Sequence, residues 1–335
     1  MNLTKQKCRS YYFDNLKLLL ITLVVIGHTV EPLINSQTNM KILYTFIYSF
    51  HMPLFVFISG YFSKSITNSK KFFLKINNII LSYITFQFMY YLFNIYILKT
   101  ENFKFTLVYP YWIMWYLVSF FTWSLILPYF SKIKHPIIIA FVISILSGYD
   151  NNIGYYLSLS RTITFFPYFL IGYFCQKSHI KNIKKHVKKK YAFLGLFIIF
   201  VAIYLLNDRI DYRWFYGSFS YSQLNSANYP EYMIRIFTYI LAIPISIFIL
   251  ALTPNKNLFC TKLGSRTMTV YAFHGFIIKL LVEYNFFNYI NYFMDEIFII
   301  ILLSLFIVIL LSSKFTDKLT KIIIHPKYFS NLMSS

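Results

Sequence analysis

Long apolar segments separated by short polar connections form the dominant pattern of this 335-residue chain. A helix needs about 20 apolar residues to cross a bilayer squarely. The pattern therefore predicts an all-α integral membrane protein of about ten transmembrane helices. The predicted segments are 15–34, 42–62, 79–98, 112–130, 136–149, 155–175, 191–206, 232–252, 267–285 and 296–313. We expect one transmembrane domain over residues 1–335, with one long external connection at 207–231.

Composition and charge support this class and set its orientation. Hydrophobic residues make up 58% of the chain and charged residues only 13%, about half the charged fraction of a soluble domain. Alternate connections, beginning with the N-terminus, hold 23 Lys and Arg, whereas the opposite connections hold five. Cytoplasmic loops carry such an excess, so both termini are predicted to be cytoplasmic. The net charge of +21 then reflects membrane topology and contact with membrane lipids, and no nucleic-acid partner is expected.

Candidate chemistry is concentrated in the first apolar segment, where Lys17 and His28 stand eleven residues apart. Eleven residues at about 100° each return to nearly the same helix face, about 16 Å further along the axis. Glu31 follows one turn after the histidine. Ionisable groups at membrane depth are costly and usually functional, so this stripe is the predicted centre of the site.

Among the other ionisable residues inside the predicted spans, three are considered for the site. His51 lies at a depth similar to that of His28, and both a structural role and a substrate-binding role in the same cavity are open. Arg161 has no acidic neighbour in sequence, so it needs a charged partner or water. For His274, near the middle of a later span, a structural role is the favoured interpretation.

Aromatic residues allow two interpretations. The 207–231 connection is rich in Tyr and Ser and contains Trp214, which suits stacking against a sugar ring and equally suits the membrane interface, where Trp and Tyr collect. Both interpretations of Trp214 stay open. Trp112 and Trp115 are interpreted as interface anchors.

Four sequence blocks, in order, carry a family resemblance. They are FDNLK with ten residues between Lys17 and His28, MPLFVFISGY, FFPYFLIGY and GSRTMTVYAFHG. On these blocks the chain resembles the membrane acyltransferase-3 family, in particular its fucose 4-O-acetylase-like branch. The resemblance implies transfer of an acyl group, usually acetyl, from cytoplasmic acyl-CoA to a hydroxyl of a carbohydrate or lipid-linked glycan at the outer face. It also implies a catalytic role for His28 and a donor-handling role for Lys17, which stands where many relatives have arginine.

The chemistry of acyl transfer gives each residue a predicted role. A neutral imidazole suits removal of the hydroxyl proton, so His28 is the predicted general base, with Glu31 orienting its ring. Arg161 is predicted to hold the charge developing on the thioester oxygen. Lys17 and Arg266, at the cytoplasmic end, are expected to bind the anionic nucleotide of acetyl-CoA. No metal is expected.

The function predicted from sequence is therefore an O-acetyltransferase that modifies an envelope or extracellular carbohydrate, in the plasma membrane of a bacterium. The alternative is a transporter or flippase that moves a glycan or lipid-linked intermediate without acyl transfer. Translocation alone gives no reason to place a donor-side cation on the same stripe as a base. The chain has no HExxH, GxSxG, GxGxxG or P-loop pattern to anchor other enzyme classes.

Overall fold

Helices are the regular secondary structure of the part of the chain that the computed structural model describes, residues 10–64, 69–224, 230–290 and 296–324. These residues form fourteen α-helices and no strand. The helices are α1 Tyr11–Val30, α2 Thr38–Tyr48, α3 His51–Ser63, α4 Ser69–Tyr96, α5 Trp115–Phe130, α6 Pro136–Ser147, α7 Leu159–Phe174, α8 Lys177–His186, α9 Lys189–Leu205, α10 Tyr232–Leu252, α11 Thr267–Glu283, α12 Phe286–Ile290, α13 Glu296–Leu311 and α14 Lys314–Ile324. Short 3₁₀ turns lie at Glu31–Leu33, Trp112–Met114, Tyr156–Ser158, Tyr212–Tyr216, Ser222–Leu224 and Leu263–Ser265.

The spans predicted from sequence correspond to helices, but not all of them are long. Among the described residues, five helical stretches are long and apolar enough to cross a membrane, and six if the pair α13 and α14, bent by 59°, is one span. The helices in the other predicted segments, α6, α7, α9 and α11, have 12 to 17 residues. The all-helical membrane class is confirmed, whereas the number of spans and the side of the termini stay predictions.

Helix α1 is the centre of the bundle and carries the predicted site. It packs against α2, α3, α11 and α13. Leu16, Leu20, Ile21 and Val25 on α1 are fully buried. A helix that is apolar on most sides is typical of such a central position. His28 therefore projects from a largely buried helix.

The second predicted span is interrupted, and the interruption shapes the site. Helix α2 ends at Tyr48 and α3 begins at His51. Pro53 explains the break, because proline has no N–H and its ring clashes with the carbonyl four residues earlier, here that of Ser49. In the first turn of a new helix proline is tolerated. The break places Tyr48 and His51 side by side, with ring centroids 4.6 Å apart.

Helices α3 and α7 approach very closely at two glycines. A Cβ atom on Gly60 would lie 1.9 Å from the carbonyl oxygen of Phe169, and one on Gly172 would lie 1.9 Å from that of Phe57. A side chain at either position would force the helix backbones apart. The contact holds the first turns of α3 and α7, which carry His51 and Arg161, against one cavity.

Candidate active site

A cavity of about 200 Å³ lies where α1, α2, α3 and α7 meet the turn at Tyr212–Tyr216. It is lined by His28, Glu31, Tyr44, Tyr48, His51, Met52, Pro110, Trp112, Ile113, Trp115, Tyr155, Arg161, Phe165, Phe215 and Tyr216. Four residues singled out from sequence, His28, Glu31, His51 and Arg161, are thus brought together. We call this space the active-site cavity.

His28 and Glu31 form a hydrogen-bonded pair at the end of α1. Nδ1 of His28 lies 2.9 Å from Oε2 of Glu31. An ionised carboxylate only accepts hydrogen bonds, so the imidazole donates through Nδ1, and Nε2 of the neutral ring keeps its lone pair. The Tyr48 hydroxyl lies 3.3 Å from the same Nδ1. The ring is held in the tautomer that a general base requires.

Two more histidines are held in the same tautomer. Nδ1 of His51 donates to the carbonyl of Ile47 at 2.8 Å, and Nδ1 of His274 donates to that of Val270 at 2.8 Å. His51 lines the active-site cavity. The ring of His274 is fully buried, with its centroid 5.4 Å from that of His28. From sequence, a structural role was the favoured interpretation of His274. The structure shows that this residue packs directly against His28, the predicted base.

Arg161 enters the cavity from the first turn of α7. Its guanidinium lies between the rings of Trp115 and Tyr155, at 5.3 and 5.0 Å from their centroids. Nε donates to the carbonyl of Tyr216 at 3.3 Å, and Nη2 lies 3.5 Å from the hydroxyl of Ser218. These partners are neutral, and among the described residues no ion pair of Arg161 is found. The cavity therefore presents a cation in contact with two aromatic rings.

Hydrogen bonds to Gly217 hold the connection after α9 over the active-site cavity. This residue has φ of +65°, in the left-handed region that glycine adopts without strain. Its carbonyl accepts hydrogen bonds from Ser160 at 2.7 Å and Thr164 at 3.3 Å, both on α7. The preceding residue, Tyr216, is thereby placed against α2, where its hydroxyl lies 2.6 Å from that of Tyr44. Burial raises the pKa of Tyr216, so its hydroxyl stays protonated.

Residues 10–313 match the family model described as an acyltransferase domain. The chain belongs to the acyltransferase-3 family. The match covers nearly the whole chain and confirms the family resemblance seen in the sequence, whereas the fucose 4-O-acetylase-like branch stays a prediction. An acyltransferase must bind an acyl donor and an acceptor, and the active-site cavity is the candidate place for their reaction.

One relative is similar to a short segment of this chain. The nodulation protein NolL of Mesorhizobium japonicum is 45% identical over 67 residues. The aligned segment covers 19% of this chain and 18% of the relative, so this chain matches less than a fifth of that protein. No solved structure matches. The comparisons therefore support acyl transfer at the level of the family.

The two predicted donor-binding cations lie outside the active-site cavity. Lys17 forms an ion pair with Asp14 at 2.9 Å, and Arg266 lies 3.8 Å from Asp317. The segment before Arg266 packs on the first turn of α1, where a Cβ atom on Gly264 would lie 1.9 Å from the carbonyl oxygen of Asp14. Both cations are therefore at the end of α1 away from His28.

Trp214, the predicted substrate-binding aromatic, does not line the active-site cavity. It lines a second cavity of about 400 Å³ formed with α9 and α10. Its ring packs edge-on against Phe237, with centroids 5.8 Å apart. Residues 225–229 of the predicted external connection lie outside the described residues.

Most of the aromatic residues that line the active-site cavity were not predicted from sequence. Trp112 and Trp115, interpreted from sequence as interface anchors, line the cavity, and the Trp112 ring centroid lies 4.6 Å from that of His28. Tyr44 and Tyr48 stack with centroids 3.9 Å apart. Their spacing of four residues on one helix face was the available signal, because such residues are neighbours on a helix.

Proposed function

We propose that the protein is a membrane O-acyltransferase, most specifically an O-acetyltransferase, that moves an acyl group from acyl-CoA to a hydroxyl of an envelope or extracellular carbohydrate. The observation that carries the proposal is the pair of His28 and Glu31, 2.9 Å apart, in a cavity that also presents Arg161. This arrangement occurs in a chain that belongs to the acyltransferase-3 family.

His28 is the proposed general base. As the acceptor oxygen forms its bond to the acyl carbon, the hydroxyl proton moves to Nε2 of His28 and the carbon–sulfur bond breaks. The imidazolium then returns the proton to the departing thiolate of coenzyme A. Glu31 stabilises the imidazolium through its contact with Nδ1, and such a partner also keeps the ring in the required orientation.

Arg161 is the proposed electrostatic partner of the acyl oxygen. A guanidinium carries five N–H donors, and in the described part of the chain Tyr216 and Ser218 occupy two of them. The remaining donors are available for the oxygen on which negative charge develops. Because the side chain is already held between two rings, little reorganisation is needed when the charge appears.

Lys17 and Arg266 are the proposed binding residues for the nucleotide of acetyl-CoA at the cytoplasmic end. Lys17 lies about 16 Å from His28 along α1, given eleven residues at 1.5 Å each. A flexible acyl carrier that is anchored at one end of α1 and reacts at the other fits this separation. We expect Lys17→Ala to raise the KM for acetyl-CoA and to leave the KM for the acceptor near its normal value.

The proposed acceptor substrate is a carbohydrate. The stacked pair Tyr44 and Tyr48, together with Trp112, supplies flat apolar faces and hydroxyl groups in one wall. His51 adds a ring whose Nε2 is a hydrogen-bond acceptor in the tautomer described above. Such surfaces bind the apolar faces and hydroxyls of a sugar ring. The protein would act from the plasma membrane of a bacterium.

Mass spectrometry of cell-surface glycans tests the proposal. Cells with the wild-type gene, a deletion, His28→Ala and His186→Ala are compared, with protein levels measured by immunoblot. His186 is an exposed histidine on α8, bonded to the carbonyl of Asn182 at 2.9 Å, and serves as the matched control. We expect the mass of one acetyl group per modified sugar to be lost in the deletion and in His28→Ala but not in His186→Ala.

Two results would contradict the proposal. Retained acetylation in His28→Ala at normal protein level would remove His28 from the role of base. Unchanged glycan masses with less glycan at the surface of the deletion strain would instead support a transporter or flippase.

A further inference from the structure

A groove open to the surface lies between the end of α9, the connection that follows it and the first half of α10. We call it the α9–α10 groove; its volume is about 400 Å³. Its lining is apolar, with Ile210, Ile236 and Phe237 among the residues that form it. Ile240, on the same lining, is 62% exposed, so the groove opens sideways from the helix bundle. An apolar groove of this kind suits a hydrocarbon chain.

Trp214 and Arg209 place polar N–H groups in the lining of the groove. They indicate that the molecule bound there has a polar head group. Nε1 of Trp214 is buried and has no hydrogen-bond partner among the described residues. An indole nitrogen only donates hydrogen bonds, and a buried donor left unpaired is unfavourable. The Trp214 side chain therefore lacks an acceptor that a ligand would supply.

Arg209 supplies the charge of the groove. It is the one charged residue among those that line it in the described part of the chain. Its neighbour Arg213 is neutralised by Asp211, with Nη2 of the arginine 2.6 Å from the carboxylate, whereas no such ion pair is found for Arg209 within the described residues. A cation and an unpaired N–H donor on one groove suit the oxygens of a phosphate.

The groove adjoins the active-site cavity through one short turn. Trp214 lines the groove, and the next two residues, Phe215 and Tyr216, line the active-site cavity. All three belong to the 3₁₀ turn Tyr212–Tyr216. A molecule whose tail lies in the groove therefore has its head beside the space that holds His28.

We propose that the α9–α10 groove holds the lipid anchor of the acceptor, a single hydrocarbon chain of the polyprenyl-phosphate type that carries the glycan. The chain packs on the apolar lining, a phosphate oxygen accepts the hydrogen bond of Trp214, and Arg209 balances the phosphate charge. The attached sugar then enters the active-site cavity. The inference rests on the proposed function and specifies it, since it makes the acceptor a lipid-linked glycan and gives Trp214 a role at the anchor.

Native mass spectrometry of the purified full-length protein tests the binding site. Undecaprenyl phosphate is the probe, and dioleoylphosphatidylglycerol is the competing membrane lipid. Ile236→Trp fills the groove, Arg209→Gln removes its charge, and Trp214→Phe removes the N–H donor with little change of shape. The matched control is Ile198→Trp, at a position on α9 that is 57% exposed and outside the groove.

We expect wild-type protein and the Ile198→Trp control to bind undecaprenyl phosphate in preference to dioleoylphosphatidylglycerol. Affinity for the probe should fall at least tenfold in Ile236→Trp and severalfold in Arg209→Gln and Trp214→Phe. Equal displacement by dioleoylphosphatidylglycerol, or equal affinity of wild type and Ile236→Trp, would overturn the proposal, because the groove would then hold ordinary membrane lipid or no anchor at all.

A cellular measurement separates failure of this inference from failure of the proposed function. Acetyl groups are measured on the lipid-linked glycan fraction of cells with wild type, Ile236→Trp or Ile198→Trp. We expect acetylation in wild type and in the control, and at least a fivefold loss in Ile236→Trp at equal protein level. Absence of acetylation from every glycan of wild-type cells would refute the proposed function. Wild-type acetylation in Ile236→Trp would refute only the anchor site.

Discussion

Replacement of Glu31 by glutamine isolates the charge of the carboxylate beside His28. Oε2 of Glu31 lies 2.9 Å from Nδ1 of the ring. Glutamine has nearly the same shape, and its amide oxygen still accepts the Nδ1 hydrogen, so the orientation of the ring is retained. What is lost is the attraction between a carboxylate and the imidazolium that forms during transfer. Glu31→Gln should therefore lower kcat rather than raise KM.

The expected magnitude follows from the exposure of the pair. A hydrogen bond to a charged group contributes about 1.5–3 kcal/mol. The side chain of Glu31 is 34% exposed, and water screens such a contact, so the lower end of this range applies. A loss of about 1.5 kcal/mol in the transition state corresponds to slightly more than a tenfold decrease in kcat.

Inverted membrane vesicles that contain the endogenous acceptor provide the assay. They expose the cytoplasmic face to radiolabelled acetyl-CoA, and initial rates are normalised to protein level. Glu101→Gln, at an exposed site in the connection after α4, controls for loss of a surface carboxylate. A wild-type kcat in Glu31→Gln, combined with no activity in His28→Ala, would refute a role for the Glu31 charge.

Three further predictions concern the cavity wall and the helix contact behind it. Tyr48→Phe removes the hydroxyl 3.3 Å from Nδ1 of His28 and should lower kcat about two- to tenfold, as expected for one hydrogen bond; the vesicle assay measures it, and an unchanged rate would contradict it. Arg161→Lys replaces a planar guanidinium by a point charge and should lower kcat about 100-fold at normal protein level; a loss below about threefold would count against the role in charge stabilisation. Gly172→Ala places a Cβ 1.9 Å from a carbonyl of α3 and should lower the Tm of the detergent-solubilised protein. Gly154→Ala, whose nearest neighbour lies at 3.7 Å, is the control, and equal Tm values would contradict the close contact.

The local part of the site could be predicted from sequence. Lys17 and His28 lie on one continuous helix, α1, so the helical period alone relates their positions. Glu31 reaches His28 because residues three apart are neighbours on a helix. These relations depend on a few consecutive backbone hydrogen bonds, and no distant contact is needed to establish them.

The wall of the cavity could not be predicted in the same way. Arg161 meets Tyr216 across 55 residues, and hydropathy alone does not say which helix faces the first one. In lipid, apolar faces gain little by meeting each other, so close packing decides which helices associate. Trp214 and Phe215 show the consequence, since these adjacent residues line two different cavities.

The sequence by itself determined the membrane class, the helical structure, the family and the stripe that carries His28. Composition and helical period are properties of short segments and survive any arrangement of the helices. Only the tertiary structure decided that His51 and Arg161 share a cavity with His28, because that required the close contact of α3 and α7 at Gly60 and Gly172. Contacts between segments distant in sequence depend on the shapes of whole helix surfaces, which no local pattern records.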